Sequence, residues 1–265
     1  MRSMLSAALM LGVAGLFAGC AEDIPEIRIV ANQPLSEDCL PSANQSSEFI
    51  ARGVLDLFIT DQYVISPLVT NTMVPSENVQ FVGGAAGGAG GLTGTRWEAN
   101  TVTLTRAVAE FTGPENLGVP LPRSLDLTVT GSAAPGASVA LTLQVVTANV
   151  ANLLRSSALL ANPGQSITIL VKLKMFGITT AGNGVDSNEF VYPIEVCNGC
   201  LLDYPAEAID PAFPAPNCRV TDGFSSVDSG LPCFPGQDVT VDCRAICPLV
   251  LGNEDRDPDG LCSSF

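Results

Sequence analysis

Between Phe49 and Cys197 the apolar residues return at every second position, a pattern that folds as β-strands with one face buried. SLDLTVTG sets Leu125, Leu127 and Val129 on one side against Asp126, Thr128 and Thr130. ASVALTLQVVT aligns Val139, Leu141, Leu143 and Val145. SITILVKLKMF aligns Ile167, Ile169, Val171, Leu173 and Met175, and EFVYPIEV aligns Phe190, Tyr192, Ile194 and Val196. Earlier, Leu55, Leu57 and Ile59 alternate with Val54, Asp56 and Phe58, and Tyr63, Ile65 and Val69 share a side. Asp61 and Gln62 lie between these two runs, which predicts a hairpin. Pro67 cannot donate to a ladder and suggests an edge position. NTVTLTRAVAEF reads as a less regular strand with Val102, Leu104 and Val108 aligned and Arg106 interrupting. Strands with one apolar face each predict two packed antiparallel sheets. The exception is 149–161, where Val150, Leu153, Leu154, Ser157 and Ala158 fall at helical spacing before Asn162-Pro163-Gly164, so a short helix is expected there.

The start of the chain carries a different message. Arg2, an apolar run from Met4 to Phe17, then Ala18, Gly19 and Cys20 form an export signal, too short to span a bilayer. LFAGC resembles the bacterial lipobox, with Phe17 at the position where leucine is usual. The resemblance implies cleavage before Cys20 and a thioether-linked diacylglycerol on that residue, with a further acyl chain such as palmitate on its amine. Several acyl chains anchor a protein stably where one would not. In such lipoproteins an aspartate after the cysteine favours the inner membrane. Ala21 stands here, so the likeness implies the outer membrane, without choosing its leaflet. Residues 20–48, mixing proline, serine and acids around an apolar patch from Ile27 to Val30, read as an acylated tether. This divides the chain into a signal at 1–19, the tether at 20–48, a β-sandwich at 49–197 and a cysteine-rich segment at 198–265.

Composition removes several function classes. There is no histidine, and the formal net charge is -15. The missing imidazole excludes Ser-His-Asp and Cys-His nucleophiles and histidine-ligated zinc. An acidic surface repels phosphate backbones, so no nucleic-acid partner is expected. A pair of carboxylates could still hydrolyse glycans, although Trp97 is the one tryptophan available for stacking on sugar. The glycine-rich stretch 83–94 is not followed by Gly-Lys-Ser/Thr and reads as a loop rather than a phosphate cradle.

Apart from Cys20, the cysteines are Cys39, Cys197, Cys200, Cys218, Cys233, Cys243, Cys247 and Cys262. In an exported chain this even set reads as disulfides. All but Cys39 lie between 197 and 262, so complete pairing sends Cys39 to one of them; the remaining connectivity stays open. Cys197-Asn198-Gly199-Cys200 also has redox CxxC spacing, and with Cys243 and Cys247 could form a four-thiolate zinc site; structural disulfides are the reading preferred. Proline and loop residues dominate 198–265, a segment whose core needs such bonds. Its cysteine spacing loosely resembles the ends of cysteine-rich lipoproteins of myxobacteria, a likeness that implies no activity.

Near the C-terminus Asp255, Asp257 and Asp259 alternate ahead of Gly260, as oxygen ligands do in calcium loops. The reading preferred is a solvated acidic turn, for which Asp-Pro-Asp-Gly is itself a good sequence, with a calcium loop as the alternative. The sequence thus predicts an all-β, immunoglobulin-like antiparallel sandwich with one short helix and a disulfide-rich tail. Its expected function is that of a non-enzymatic, membrane-anchored bacterial envelope lipoprotein with a structural or protein-binding role and no required cofactor. Alternatives are a calcium-dependent surface adhesin and, further off, a carboxylate-based glycan hydrolase.

Overall fold

The computed structural model describes residues 25–76, 98–162, 164–209, 216–218 and 231–250. Trp97 and the glycine-rich stretch 83–94 lie outside them. The described chain is mostly β, arranged as several sheets.

The largest sheet has the order β2 (Gly53–Asp56), β11 (Phe190–Cys197), β9 (Ser166–Thr179), β5 (Val102–Thr112), β6 (Ser124–Ala133), with β10 (Gly184–Asp186) also pairing with β9. β9 is its centre because its alternation never falters: Ile167, Ile169, Val171, Leu173 and Met175 are all buried. β11 follows the same rule, with Tyr192, Ile194 and Val196 inward. On β6 only Val129 of the expected inward set is fully covered, since this strand closes the sheet and pairs on one side alone.

Two smaller sheets face the same core. One joins β1 (Ile27–Asn32), β4 (Pro67–Asn71) and β7 (Ser138–Ala140); the other pairs β3 (Tyr63–Ile65) with β8 (Leu143–Val146). Ile27 and Ile29 of β1, Ile65 of β3, Val69 of β4 and Val145 of β8 enter one continuous apolar cluster with the inward residues of β5, β9 and β11. The helix α1 (Ala148–Arg155) caps it with Val150, Ala151 and Leu154, and a 3-10 turn at Ala158–Leu160 adds Leu160. α1 is shorter than the 149–161 predicted. Ser157 breaks it by sending its hydroxyl to the Leu117 carbonyl at 2.6 Å.

Several expectations are corrected. The 55–59 and 63–69 runs are not a hairpin: β2 pairs in parallel with β11, whereas β3 pairs antiparallel with β8. The sheets are therefore not wholly antiparallel. Pro67 lies on the middle strand of its sheet, not an edge; it is the first residue of β4, where a missing N–H is tolerated. The run 138–146 splits into β7 and β8 in different sheets, with the Leu141 N–H bonding to the Pro67 carbonyl at the crossing. In β5 a bulge between Leu104 and Arg106 reverses the parity. Val102 and Leu104 point inward before it, and Ala107, Ala109 and Phe111 after it, which leaves Val108 only partly buried. Finally, the supposed tether is partly body: its apolar patch is β1, paired with β4 and buried at Ile27 and Ile29.

A second, smaller core forms beyond β11. It unites Phe58 and Ile59, just after β2, with Leu201, Leu202, Val241 and Ile246. Its regular structure is a two-residue parallel pair, β12 (Leu202–Asp203) with β13 (Val241–Asp242), and the helix α2 (Cys243–Val250). Among the described residues no helix is long and apolar enough to cross a membrane.

Candidate functional site

Exposed strand edges seek partners, and here polar side chains occupy three of them. The Asn188 amide accepts from the Ile29 N–H at 2.8 Å and donates to the Ile29 carbonyl at 3.3 Å, closing β1. The Gln237 amide does the same for Val64 of β3, at 2.9 and 2.6 Å. Asp238 takes both backbone groups of Val54 on β2, the N–H through its carboxylate at 2.8 Å and the carbonyl through its own N–H at 3.0 Å. The segment carrying Gln237 and Asp238 is thus a plug between the large sheet and the β3–β8 pair. It is anchored covalently by the Cys39–Cys233 disulfide, which spans 194 residues of sequence.

Glycines let the plug seat closely. Gly236, at φ 86°, has its α-carbon so near Ile59 that an added Cβ would lie 2.7 Å from the Ile59 Cβ, and its carbonyl accepts from the Asp56 N–H. At Gly53 a Cβ would collide with the Tyr63 hydroxyl, so glycine there makes room for the ring.

Behind the plug lies a polar chain within the core. The Tyr63 hydroxyl donates to the Asp238 carboxylate at 2.9 Å and meets the Tyr192 hydroxyl at 3.2 Å; the Tyr192 hydroxyl in turn bonds with the Asn32 side chain. Burial pushes the Tyr63 phenol far above its ordinary value, aided by the neighbouring Asp238 charge, and pushes Tyr192 up to about 12. Both phenols therefore stay protonated and can donate. Burial also raises the Asp238 carboxyl, against the pull of bonds from Val54, Tyr63 and Gln237.

The plug and the end of β1 enclose a cleft of about 600 Å³, lined by Asn32, Gln33, Ser66, Gln237 and Asp238, with the Cys39–Cys233 bond in its wall. A second cleft of about 290 Å³ shares Asn32, Gln33 and Ile50 and continues to Phe49, Phe190 and Val191. Exposed apolar side chains border both: Leu231 and Val239 at the first, Val30, Val191 and Phe49, the last 65 % exposed, at the second. Between the two sits Gln33. It is 2 % exposed, its N–H bonds to the Ser66 carbonyl, and among the described residues its Oε1 has no hydrogen-bond partner. Glu37 and Asp238 both line the larger cleft. The Asp238 oxygens, however, are committed to Val54, Tyr63 and Gln237, the bonding of a structural carboxylate rather than an acid poised over a substrate.

The cysteines singled out from sequence fall as follows. Cys39 bonds to Cys233, Cys197 to Cys200 and Cys218 to Cys243, and Cys247 is also in a disulfide. With Cys197, Cys200, Cys243 and Cys247 all oxidised, the four-thiolate set has no thiolate to offer. Cys20 and Cys262 lie outside the described residues, as do Asp255, Asp257 and Asp259. What sequence reasoning missed is the polar set of Asn32, Gln33, Tyr63, Gln237, Asp238 and Asp56. One signal was present: Asp56 is an acid inside the otherwise apolar run Val54 to Ile59. No protein-family model matches this chain, and no curated protein matches it.

Proposed function

We propose that this chain is a lipid-anchored bacterial envelope protein with a non-enzymatic, protein-binding role, its body an immunoglobulin-like sandwich held from Cys20 by a short lead to β1. The face bearing the two clefts receives an apolar segment of another envelope protein. The observation that carries this reading is the gathering of exposed apolar side chains, Phe49 foremost, around two adjoining clefts that share an unsatisfied buried amide. Apolar side chains concentrated on one face beside polar groups are the usual mark of an interaction surface. A buried acceptor without a donor costs about 1–3 kcal/mol, a cost that a partner's N–H or O–H would relieve.

The test is site-specific photo-crosslinking in intact envelopes. A photo-reactive residue at Phe49 is expected to give discrete protein adducts, and one at Thr128, exposed on β6, to give none. Equal labelling at both positions, or none at Phe49, would overturn the assignment. The anchor is tested separately by the intact mass of protein purified from membranes. A mass of residues 20–265 plus acyl chains is expected, and a cleaved but unacylated mass would refute it.

A further inference from the structure

The turn carrying Cys197 and Cys200 is built around a carboxylate. Asp56 at the end of β2 is fully buried; one of its oxygens accepts from the N–H groups of Gly199 at 2.7 Å and Phe58 at 3.0 Å, the other from that of Leu201 at 2.8 Å. Two of these donors flank Cys200, so Asp56 fixes the turn on which that sulfur sits. Its carboxylate and the two sulfurs all lie within 4.8 Å of one another.

The sulfurs themselves are unequal. Cys197, the last residue of β11, is wholly buried, whereas Cys200 is exposed. The bond between them spans only 3 positions of sequence. In the chain-entropy account so short a loop restrains the unfolded chain little. Two hydrogen bonds to Asp56, from the N–H groups of Gly199 and Leu201, already hold the same turn. A disulfide that adds little constraint, open at one sulfur and sealed beside an acid at the other, has the layout of an exchange site rather than a staple.

We propose that Cys197–Cys200 is a thiol–disulfide exchange site at which an external dithiol enters through Cys200 and Asp56 supplies the proton for Cys197. The dithiol's thiolate attacks the Cys200 Sγ and forms a mixed disulfide with it. The Cys197–Cys200 bond breaks, and its electron pair leaves on the Cys197 Sγ. A thiolate there would be a buried negative charge beside the neutral Asp56 carboxyl, so the proton passes from that carboxyl to sulfur; Cys197 ends as a neutral thiol and the charge rests on Asp56, where the N–H groups of Gly199, Phe58 and Leu201 face it. The dithiol's second thiolate then attacks its own sulfur in the mixed disulfide, expelling Cys200 as a thiolate that takes a proton from water. Two electrons and two protons pass from the dithiol to the chain, and Asp56 regains its proton from solvent.

Burial holds the Asp56 carboxyl above the usual carboxylate range, against the lowering pull of bonds from Leu201, Gly199 and Phe58. The charged groups on the surrounding elements are otherwise engaged. Arg155 of α1 donates to the Leu57 and Thr60 carbonyls, Asp238 is bound to Val54 and Tyr63, and Glu195 of β11 pairs with Arg52 at 3.3 Å.

The test uses the full oxidised chain treated with limiting dithiothreitol, then alkylated and mapped by mass. Cys197 and Cys200 are expected to be labelled at least about tenfold faster than Cys39, Cys233, Cys218 or Cys243, because reduction follows access and proton supply. Reduction of this bond together with the others, or after them, would overturn the proposal. The pH profile of the same reaction tests Asp56 without any substitution. Divided by the concentration of attacking thiolate, the rate should fall as pH rises through the Asp56 titration; a flat profile would remove Asp56 from the step. Asp56→Asn, provided its other disulfides stay resistant, should flatten the profile, and an unchanged slope would likewise refute the role.

Discussion

Ile169, Val171, Leu173 and Met175 of β9 are sealed by strands on both sides, in a core that draws on three sheets and a helix. The core beyond β11 gathers Leu202, Val241 and Ile246 around strands two residues long, with Cys218–Cys243 inside it. Where strands are long and alternate cleanly, burial alone supplies the stabilisation; where they are short, covalent bonds and polar caps supply it. The plug at Gln237 and Asp238 joins the two regimes. It is a short loop of the second region that completes the edges of the first.

The sharpest way to break this comparison is to cut the tie between the regions. Replacing both Cys39 and Cys233 by serine frees a loop of 194 residues and is expected to cost about 5 kcal/mol in the chain-entropy account, read from urea unfolding. A loss below about 1 kcal/mol would mean that the large core holds the plug without help. Next in size are matched truncations. Leu173→Ala should cost about 3 kcal/mol and shift the whole unfolding transition. Ile246→Ala should cost about 2 kcal/mol and show first as faster proteolysis confined to the C-terminal region. If both variants unfold in one step with equal losses, the two cores are a single cooperative unit.

Tyr63→Phe probes the junction itself. It removes a donor from a buried carboxylate, and a loss of about 1.5 kcal/mol is expected by thermal unfolding. The carboxylate also sets a pH dependence. Asp238 and Asp56 are held above their ordinary range, so the stability each contributes is full below the unfolded value of about 3.9 and is lost as pH rises through the folded one. Asp242, held below that range by its bonds to Arg244, runs the other way, losing its contribution as pH falls through its folded value. Asp238→Asn should therefore narrow the difference in unfolding midpoint between about pH 4 and about pH 7. An unaltered difference would show that the burial of Asp238 is not its source. The smallest effect is expected at the surface of the large sheet. Arg106 pairs with Asp126 at 2.7 Å with both side chains mostly in solvent, and Arg106→Ala should cost about 0.5 kcal/mol or less.

The strands legible in the sequence are those whose burial is one-sided and unbroken, β9 and β11 above all. β5 was half legible because its two apolar sets are out of phase, and the alternation gives no sign of the residue absorbed by a bulge. The run from Leu55 to Ile59 was misread for a different reason. It is covered on both sides, by the large core at Leu55 and Leu57 and by the second core at Phe58 and Ile59, so its period says nothing about which sheet it joins. β1 was hidden by its shortness between Pro25 and Pro34. As for the candidate site, the cysteines were visible by type and count. The roles of Gln237 and Asp238 were not, since each depends on a backbone group more than 170 positions away.

The parallel pairing of β2 with β11 also governs the order of assembly. Residues 53–56 meet their sheet partner only when 194–197 are present, and their outer edge is closed by Gly236 and Asp238. A chain made or delivered from its N-terminus therefore holds β2 unpaired while most of the remaining length arrives, and the Cys39–Cys233 bond can form only after that. Contacts so distant in sequence slow folding and leave an early strand open to wrong partners. For a chain of this topology, the moment of greatest exposure to aggregation is the interval before its last quarter arrives.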